Sequence, residues 1–332
     1  MAKKQYKKIL VVKPSSLGDI VHSLPFLNSI RKCFPDAKIH WIVAGGFDDL
    51  LVGHPMLDKV WVINKDQWKR LSAAGRTIKE FRGLYKDLKG EKYDLVVDLQ
   101  GLLRSGLLTA ATGCKTRVGF KEAREGSRLF YTHTVEGGRD IHAVERYLRV
   151  ASFLGCDGTE VSFPLPMEPY PVPFEEDYAV LVPGARWKTK KWPTSKFARL
   201  AAKLPIKSII VGGKSDRQIA RQIAAESRRK AISLAGKTTL KELSGIIRKA
   251  RFVVTNDSGP MHLAAAHGVP VFALFGPTNP VTTGPYGRGH TVITAGVECS
   301  PCLKRRCDDL RCMEKISVDR VLEAIKNTIF RE

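Results

Sequence analysis

The sequence lacks a long apolar run. No stretch of the 332 residues approaches the ~18 consecutive apolar residues that span a membrane. The basic start, MAKKQYKK, leads into only four apolar residues, Ile9 to Val12, which are too few for the apolar part of a secretory signal peptide. These absences predict a cytoplasmic protein whose contact with a membrane, if it has one, is peripheral.

Cysteine is scarce and odd in number. Of the seven cysteines, Cys33, Cys114 and Cys156 are scattered and four lie together near the C-terminus. An odd count without a signal peptide argues against a secreted disulfide scaffold, because such scaffolds pair their cysteines outside the cytosol.

Acidic residues are also few. The chain has 33 Asp and Glu against 55 Lys and Arg, a net charge of +22, which favours an anionic partner. Nucleic acid, a membrane face, or a phosphorylated or carboxylated substrate all fit this charge. The sequence offers no RNA-binding aromatic signature and no zinc finger of the usual kind, so nucleic-acid binding is kept only as a remote alternative.

The first half of the chain alternates strand-like and helix-like segments. In the first predicted helix Ile20, Leu24, Leu27 and Ile30 fall on one face. The predicted strands are Lys8–Val12, Ala37–Val43, Val60–Val62, Leu95–Leu99 and Thr116–Val118. The predicted helices are Asp19–Cys33, Asp48–Val52, Trp68–Lys89, Ser105–Thr112 and Ala143–Leu154. This alternation predicts a parallel sheet covered by helices.

A proline-rich stretch, PLPMEPYPVP, then interrupts the pattern and predicts an extended linker. After it the alternation restarts, in YAVLVPGARW, KSIIVGGKSDRQIA and RFVVTNDSGPMHLAAAHG. The predicted domains are residues 1–163, a linker at 164–174, a second domain at 175–312, and a C-terminal helix at 313–332 that packs back on the first domain. Two Rossmann-like domains facing each other across a cleft are typical of the GT-B class, an α/β fold, but this layout alone does not fix the function.

The first strand–loop–helix unit, KPSSLGDIVHSLP, departs from a phosphate-binding loop. Its loop has a single glycine, and an acid, Asp19, stands at the helix start where a phosphate normally lies. The N–H groups and dipole of the helix would keep this carboxylate ionised. Asp19 is then either a proton acceptor in a site or a residue that only stabilises the helix.

The second half offers a better anion site, because ligands bind at the carboxyl ends of strands in such sheets. In TNDSGPMHLAAAHG, the Ser258-Gly259 turn presents N–H groups at a helix start, with Asp257 before it and His262 about one turn later. The alternative is that Asp257 or Ser258 only caps a well-packed helix.

Two further groups follow strands. GARWKTKKWP carries Arg186 and Lys190, which suit a pyrophosphate, unless the loop is simply a solvated basic surface. Asp216, after a Gly-Gly turn, suits ribose hydroxyls. It equally suits the start of the next helix as an N-cap.

Several motifs together resemble the ADP-heptose:lipopolysaccharide heptosyltransferases of glycosyltransferase family 9. They are KPSSLGDIVHSLP, YDLVVDLQGLLRSGLL, KEAREGSRLFY, HAVERYL, KKWP and TNDSGPMHLAAAHGVPVFALFGPTNP. DLQGLLRS, AREG and HAVER are most similar to the type I enzymes, which add the first heptose to Kdo. The resemblance implies a metal-independent, inverting transferase that uses ADP-heptose and Kdo2-lipid A. A type II or other family 9 enzyme with a different acceptor is the main alternative.

The resemblance also implies roles for single residues. Asp19 is the catalytic base, with Ser16 and Gly18 beside it on the acceptor side and Arg124 facing the acceptor. The donor is bound by Lys190, Asp216 and Asp257, by the backbone of Ser258 and Gly259, and by His262 nearby. One departure concerns Arg186, since type I members often have a Thr-Thr pair where Ala185-Arg186 stands.

The acceptor is anionic, and one segment matches it in charge. Lys59–Lys92 holds ten Lys and Arg against four Asp and Glu, with Trp68 and Tyr85 interleaved. A basic amphipathic segment suits the inner face of the cytoplasmic membrane, although a solvated helical face explains the same pattern. Within it, Lys65, Lys69, Arg70 and Arg76 are predicted acceptor contacts.

The four clustered cysteines, Cys299, Cys302, Cys307 and Cys312, have the spacing C-x2-C-x4-C-x4-C. Four thiols at such spacing suit a structural zinc ion or an iron–sulfur cluster. The resemblance argues against a metal, because transfer in this family needs none, and disulfides are disfavoured in the cytosol.

Overall fold

The computed structural model describes residues 5–64, 74–172 and 174–330, and for residues 74–81 it describes the backbone only. The chain divides into two compact units, Met1–Pro166 and Met167–Glu332. The division lies inside the proline-rich stretch, where proline removes the backbone donors that a sheet or helix needs.

The first unit is built around a parallel sheet in the order β3-β2-β1-β4-β5-β6. Its strands are β1 Lys8–Val12, β2 Lys38–Ala44, β3 Lys59–Ile63, β4 Leu95–Asp98, β5 Arg117–Phe120 and β6 His133–Val135. Its helices are α1 Leu17–Cys33, α2 Ala74–Gly90, α3 Leu103–Ala111 and α4 Ala143–Phe153. β1, β2 and β4 are buried almost throughout, as central parallel strands covered on both faces must be.

The second unit repeats this plan in the order β12-β11-β10-β7-β8-β9. Its strands are β7 Tyr178–Val182, β8 Lys207–Ile210, β9 Ala231–Ser233, β10 Phe252–Asn256, β11 Val271–Phe275 and β12 Thr291–Thr294. Its helices are α5 Thr194–Lys203, α6 Arg217–Glu226, α7 Leu240–Arg248, α8 Gly259–Ala266, α9 Pro280–Thr283, α10 Arg311–Glu314 and α11 Val318–Ile329.

Each sheet has one point where the strand order reverses. It lies between β1 and β4 in the first unit and between β7 and β10 in the second. Helices on either side of such a point run away from each other, which leaves a crevice at the carboxyl ends of the two central strands. The predicted α/β class with two Rossmann-like units is therefore confirmed, and each unit has one preferred place for a ligand.

The C-terminal helix α11 corrects one expectation. Its apolar side chains Val318, Val321, Leu322 and Ile325 are buried in the core of the second unit, with β11 and α5 as neighbours. The prediction that this helix packs back on the first domain does not hold for this apolar face. These side chains form one apolar stripe along the helix, and the core of the second unit buries that stripe.

Cys33 and Cys156, which are far apart in the sequence, form a disulfide. It joins the end of α1 to the segment after α4, two helices that pack side by side. In the described part of the chain, no helix is both long and apolar enough to cross a membrane.

Candidate active site

The loop after β1 presents Asp19 in a fixed orientation. Ser16 is the N-cap of α1, and its backbone N–H and hydroxyl both donate to Asp19 Oδ2, at 2.9 and 2.7 Å. One carboxylate oxygen is thus held by the helix start, and 41 % of the Asp19 side chain remains exposed. Gly18 is buried in the same turn. Asp19 therefore both caps the helix and is open to a ligand, so the two interpretations of this acid are compatible.

A buried cation lies behind the other carboxylate oxygen. Lys13 Nζ is 3.6 Å from Asp19 Oδ1, and the Tyr147 hydroxyl donates to the same oxygen at 3.3 Å. Lys13 also donates to the carbonyl of Leu99 and lies over the Tyr147 ring. Burial by itself lowers the pKa of Lys13, but Asp19 and Tyr147 outweigh it and raise the pKa above its usual value. Lys13 is therefore charged at neutral pH and stabilises Asp19 as a carboxylate.

The DLQG segment at the end of β4, the neighbouring central strand, lies next to the loop after β1. Asp98 is fully buried, and its carboxylate accepts from the N–H groups of Gln100 and Gly101 and from the Tyr131 hydroxyl. Gln100 in turn accepts from the N–H of Ser15 at 3.4 Å. Burial raises the pKa of Asp98 above its usual value, although the hydrogen bonds from Tyr131, Gly101 and Gln100 each lower it. Gln100 thus joins the loops after β1 and β4, and Asp98 holds the backbone of Gln100 in place.

In the second unit, the loop after β7 meets the loop after β10. Lys190 Nζ lies 2.6 Å from Asp257 Oδ2, and Thr278, after β11, donates to the same oxygen at 2.6 Å. The Lys190 ammonium also lies 4.4 Å from the centre of the Trp187 ring. The structure therefore brings together two of the predicted donor-binding residues at the point where the strand order reverses.

The start of α8 completes this edge. Ser258 is its N-cap and Gly259 its first residue, but the Ser258 side chain makes no capping bond and lies 3.3 Å from the Thr255 hydroxyl. The Asp257 side chain is likewise used for Lys190 and Thr278 rather than as a cap. Neither Asp257 nor Ser258 therefore caps α8 with its side chain, as the simpler interpretation of this turn would require. His262 is buried one turn into the helix.

Asn256 holds the two loops of this edge in place. Its side-chain oxygen accepts from the N–H of Trp192, and its amide nitrogen donates to the carbonyl of Pro183. Asn256 is fully buried at the end of β10, so its amide joins that strand to the loop after β7. This is the segment that carries Lys190.

Asp216 lies over two glycines at the ends of β7 and β8. A Cβ atom built on Gly184 would lie 2.5 Å from Asp216 Oδ2, and one built on Gly212 would lie 2.9 Å from it. Asp216 directly precedes α6 but makes no capping bond to it; its carboxylate accepts from the N–H of Gly213 at 2.9 Å, which caps the short 3-10 turn Lys214–Asp216. The loop thus holds the acid at the ends of these two strands.

The other predicted residues are less defined. Arg186 and Arg124 are exposed, and no hydrogen bond or ion pair of either side chain is seen among the described residues. Lys65, Lys69 and Arg70 lie outside the described residues, as does the side chain of Arg76. The cysteines of the C-terminal cluster line one pocket: Cys299, Cys302, Cys307 and Cys312.

Sequence reasoning missed Lys13, Asp98 and Tyr147. Lys13 directly follows β1 and Asp98 ends β4, so the rule about carboxyl ends of strands would have found both. Tyr147 lies within α4, 128 positions from Asp19, and no local pattern indicates its contact with that residue.

Two Rossmann-like units with polar groups at the points of reversed strand order are typical of GT-B glycosyltransferases. The sequence profile described as "Glycosyltransferase family 9 (heptosyltransferase)" matches residues 81–312. The chain belongs to this family and is therefore a glycosyltransferase of the heptosyltransferase type.

Relatives and solved structures agree with this membership. The chain is 33 % identical over 321 residues to lipopolysaccharide heptosyltransferase 1 of Pseudomonas aeruginosa, covering 90 % of this chain and 87 % of that protein. It is 27 % identical over 310 residues to lipopolysaccharide heptosyltransferase 2 of Escherichia coli, covering 86 % and 87 %. It is also similar to the structure of E. coli heptosyltransferase WaaC with ADP, with a TM-score of 0.78, 25 % identity, and coverage of 97 % and 99 %.

Proposed function

We propose that this protein transfers L-glycero-D-manno-heptose from ADP-heptose to a Kdo residue of the lipopolysaccharide inner core. Transfer proceeds with inversion, Asp19 is the general base, and the acceptor is Kdo2-lipid A or a precursor. The type I step is supported by the motifs DLQGLLRS, AREG and HAVER and by the 33 % identity to heptosyltransferase 1 of P. aeruginosa.

The geometry of Asp19 carries this proposal. Its Oδ2 is fixed by Ser16, its Oδ1 is backed by Lys13 and Tyr147, and 41 % of the side chain stays exposed. A base of this kind has to be ionised, oriented and accessible at the same time. The buried Lys13 cation supports the first requirement, the two bonds from Ser16 the second, and the exposed fraction the third.

The reaction is one displacement at the anomeric carbon. Asp19 takes the proton of the acceptor hydroxyl, the hydroxyl oxygen forms the new glycosidic bond, and the bond from that carbon to the diphosphate breaks. The leaving group is ADP, whose negative charge needs positive groups and N–H donors. Asp19 then holds the proton until water accepts it.

The donor site of the second unit fits that leaving group. Lys190 supplies a cation held by Asp257, and the start of α8 supplies the N–H groups of Ser258 and Gly259. Asp216 suits the ribose hydroxyls of an adenosine diphosphate. A structure of E. coli WaaC contains ADP-2-deoxy-2-fluoro heptose, which supports ADP-heptose as the donor here.

Helix α2 supports the proposed contact with an anionic acceptor. In its described part, Arg82, Lys86 and Lys89 are exposed together with Tyr85. Lys59, at the start of β3, is less available to an anionic acceptor, because its ammonium group pairs with Glu91 at 2.7 Å. We therefore place the contact with Kdo carboxylates, lipid A phosphates and the inner face of the cytoplasmic membrane on α2 and the preceding segment.

A transfer assay with purified protein and ADP-heptose tests this function. Kdo2-lipid A and the same acceptor already carrying one heptose are offered in parallel. Turnover on Kdo2-lipid A with little on the second acceptor is expected, and the reverse preference would favour a type II enzyme. No transfer to either, combined with tight, salt-sensitive DNA binding, would overturn the proposal.

A further inference from the structure

The C-terminal cysteines meet in one place. Cys299, Cys302, Cys307 and Cys312 all line a single pocket, together with Thr189 and Pro277. These residues come from the loop after β7, the loop after β11, the segment between β12 and α10, and α10 itself. The four thiols are thus neighbours in the fold as well as in the sequence.

The backbone around this pocket is fixed. The N–H groups of Cys302 and Leu303 both donate to the carbonyl of Pro277, at 3.1 and 2.7 Å, and the Ser300 hydroxyl donates to the carbonyl of Gly276. Cys312 is buried on α10, and a Cβ atom on Gly276 would lie 3.0 Å from its Sγ. Two of the four cysteines are therefore anchored at the carboxyl end of β11.

The other two thiols lie at the surface, and Cys307 Sγ donates to the carbonyl of Asp309 at 3.1 Å. Cys299 and Cys307 are exposed, and Cys302 is half-buried. Among the described residues, no three potential ligands already stand in the arrangement of a bound metal ion. Binding an ion here therefore requires the thiols to rearrange.

We propose that these four cysteines bind one zinc-like divalent ion as a tetrahedral thiolate site. Each thiol loses its proton on binding, so four protons are released and the ion with its ligands carries a net charge of about −2. Lys304, Arg305 and Arg306 lie within the same loop and offset that charge. The spacing C-x2-C-x4-C-x4-C keeps all four ligands within one short segment, which is typical of structural sites.

The site is linked to the loop that carries Lys190. Thr189 donates to the carbonyl of Lys304 at 3.0 Å, and Arg305 lies 5.0 Å from the centre of the Trp187 ring. The same Trp187 ring lies under Lys190 Nζ. A metal that orders the cysteine segment would therefore also stabilise the loop that carries Lys190. The expected effect on the donor site rests on the proposed function. The proposal of metal binding does not depend on it.

Metal content and Co²⁺ spectra test the binding itself. Protein purified without chelator is expected to hold about one zinc or iron ion per chain. Reduced, metal-free protein titrated with Co²⁺ should show the intense thiolate-to-cobalt absorption and the visible bands of a tetrahedral site. Cys302→Ser should lose stoichiometric metal, and Cys114→Ser, which changes a buried cysteine outside this pocket, should retain it. If Cys302→Ser does not fold, the Co²⁺ titration of the unmodified protein still tests whether a tetrahedral thiolate site forms.

Absence of stoichiometric metal together with an unchanged Co²⁺ spectrum in the reduced protein would overturn the proposal. Detection of the four cysteines as disulfides in protein kept under reducing conditions would overturn it as well. For the linked loop, metal removal should raise the KM for ADP-heptose at least severalfold and lower the Tm. Because metal content and spectra need no activity, their failure is distinguishable from failure of the proposed transfer reaction.

Discussion

Lys190 and Asp257 are 67 positions apart, and their charged groups lie 2.6 Å from each other. Only 15 % of the Lys190 side chain and 7 % of the Asp257 side chain are exposed. Without its partner, each charge would be buried and uncompensated. The pair therefore holds the loop after β7 against the loop after β10 and keeps a cation at the ends of these strands.

Replacing Lys190 by Met should weaken both donor binding and the fold. We expect a large loss of ADP affinity in calorimetry and a loss of about 3 kcal/mol in the free energy of unfolding, because Asp257 is left unpaired. Lys188→Met is the matched control, since Lys188 is exposed in the same turn. The double variant Lys190→Met/Asp257→Leu should recover much of the stability but not ADP binding. Wild-type ADP affinity in Lys190→Met would refute the assigned role.

Three neighbouring glycines test the position of Asp216. Gly184→Ala and Gly212→Ala push a methyl group into the Asp216 carboxylate, whereas a Cβ on Gly213 would lie at an ordinary 3.8 Å from Asp216 Oδ2. We expect the first two variants to lower ADP affinity as Asp216→Ala does and Gly213→Ala to leave it unchanged. Gly184→Ala combined with Asp216→Ala should cost little more than either change alone. Fully additive losses would show that Gly184 acts independently of Asp216.

The basic surface of α2 should govern how strongly activity depends on salt. Changing Arg82, Lys86 and Lys89 to Glu should raise the KM for Kdo2-lipid A and flatten the decrease of activity with ionic strength. The KM for ADP-heptose should not change. Arg221, Arg320 and Lys326, exposed basic residues of the second unit, provide the control triple variant. Equal effects of the two triple variants would mean that net charge, not this surface, attracts the acceptor.

His40 should make the fold sensitive to acid. Trp61 donates to the Tyr93 hydroxyl, and this hydroxyl is hydrogen-bonded to Nδ1 of His40 at 2.8 Å. Burial lowers the pKa of His40 from 6.5 to about 4. The stability from neutral His40 is therefore present above pH 6.5 and is lost as the pH falls from 6.5 towards 4.

His40→Gln should reduce the slope of unfolding free energy against pH in that window, measured by urea denaturation. A residual slope should remain, because burial also lowers the pKa of His267 to about 4. His133→Gln, at an exposed histidine, serves as the control. An unchanged slope in His40→Gln would rule out the assignment.

The local sequence pattern predicts much of the fold, because a buried strand or helix face requires apolar residues at regular spacing. Mainly apolar runs such as Leu95–Leu99 predict strands, and the observed β4 is Leu95–Asp98. β6 was missed, since two of its three residues are exposed and no apolar run indicates an edge strand. The segment Asp48–Val52 was predicted as a helix, but only Asp48–Leu50 forms a short 3-10 turn there.

The site residues that directly follow a strand could be predicted from the sequence. Those that reach the site through the packing of two helices could not. Asp19, Lys190 and Asp257 each follow a central strand, so their positions could be inferred from the sequence. The contact of Tyr147 with Asp19 exists because α4 packs beside α1, which the sequence pattern of neither helix specifies.

The central claim is that Asp19 takes the acceptor proton during transfer to Kdo. Its direct test is the rate of heptosyl transfer from ADP-heptose to Kdo2-lipid A by the wild-type protein and by Asp19→Asn. Asn can still accept from Ser16 as a helix cap, whereas Asp19→Ala should lose about 1 kcal/mol of stability in addition. The account predicts a 10²–10⁴-fold slower transfer in Asp19→Asn with unchanged ADP-heptose binding. Transfer at the wild-type rate in that variant would contradict it.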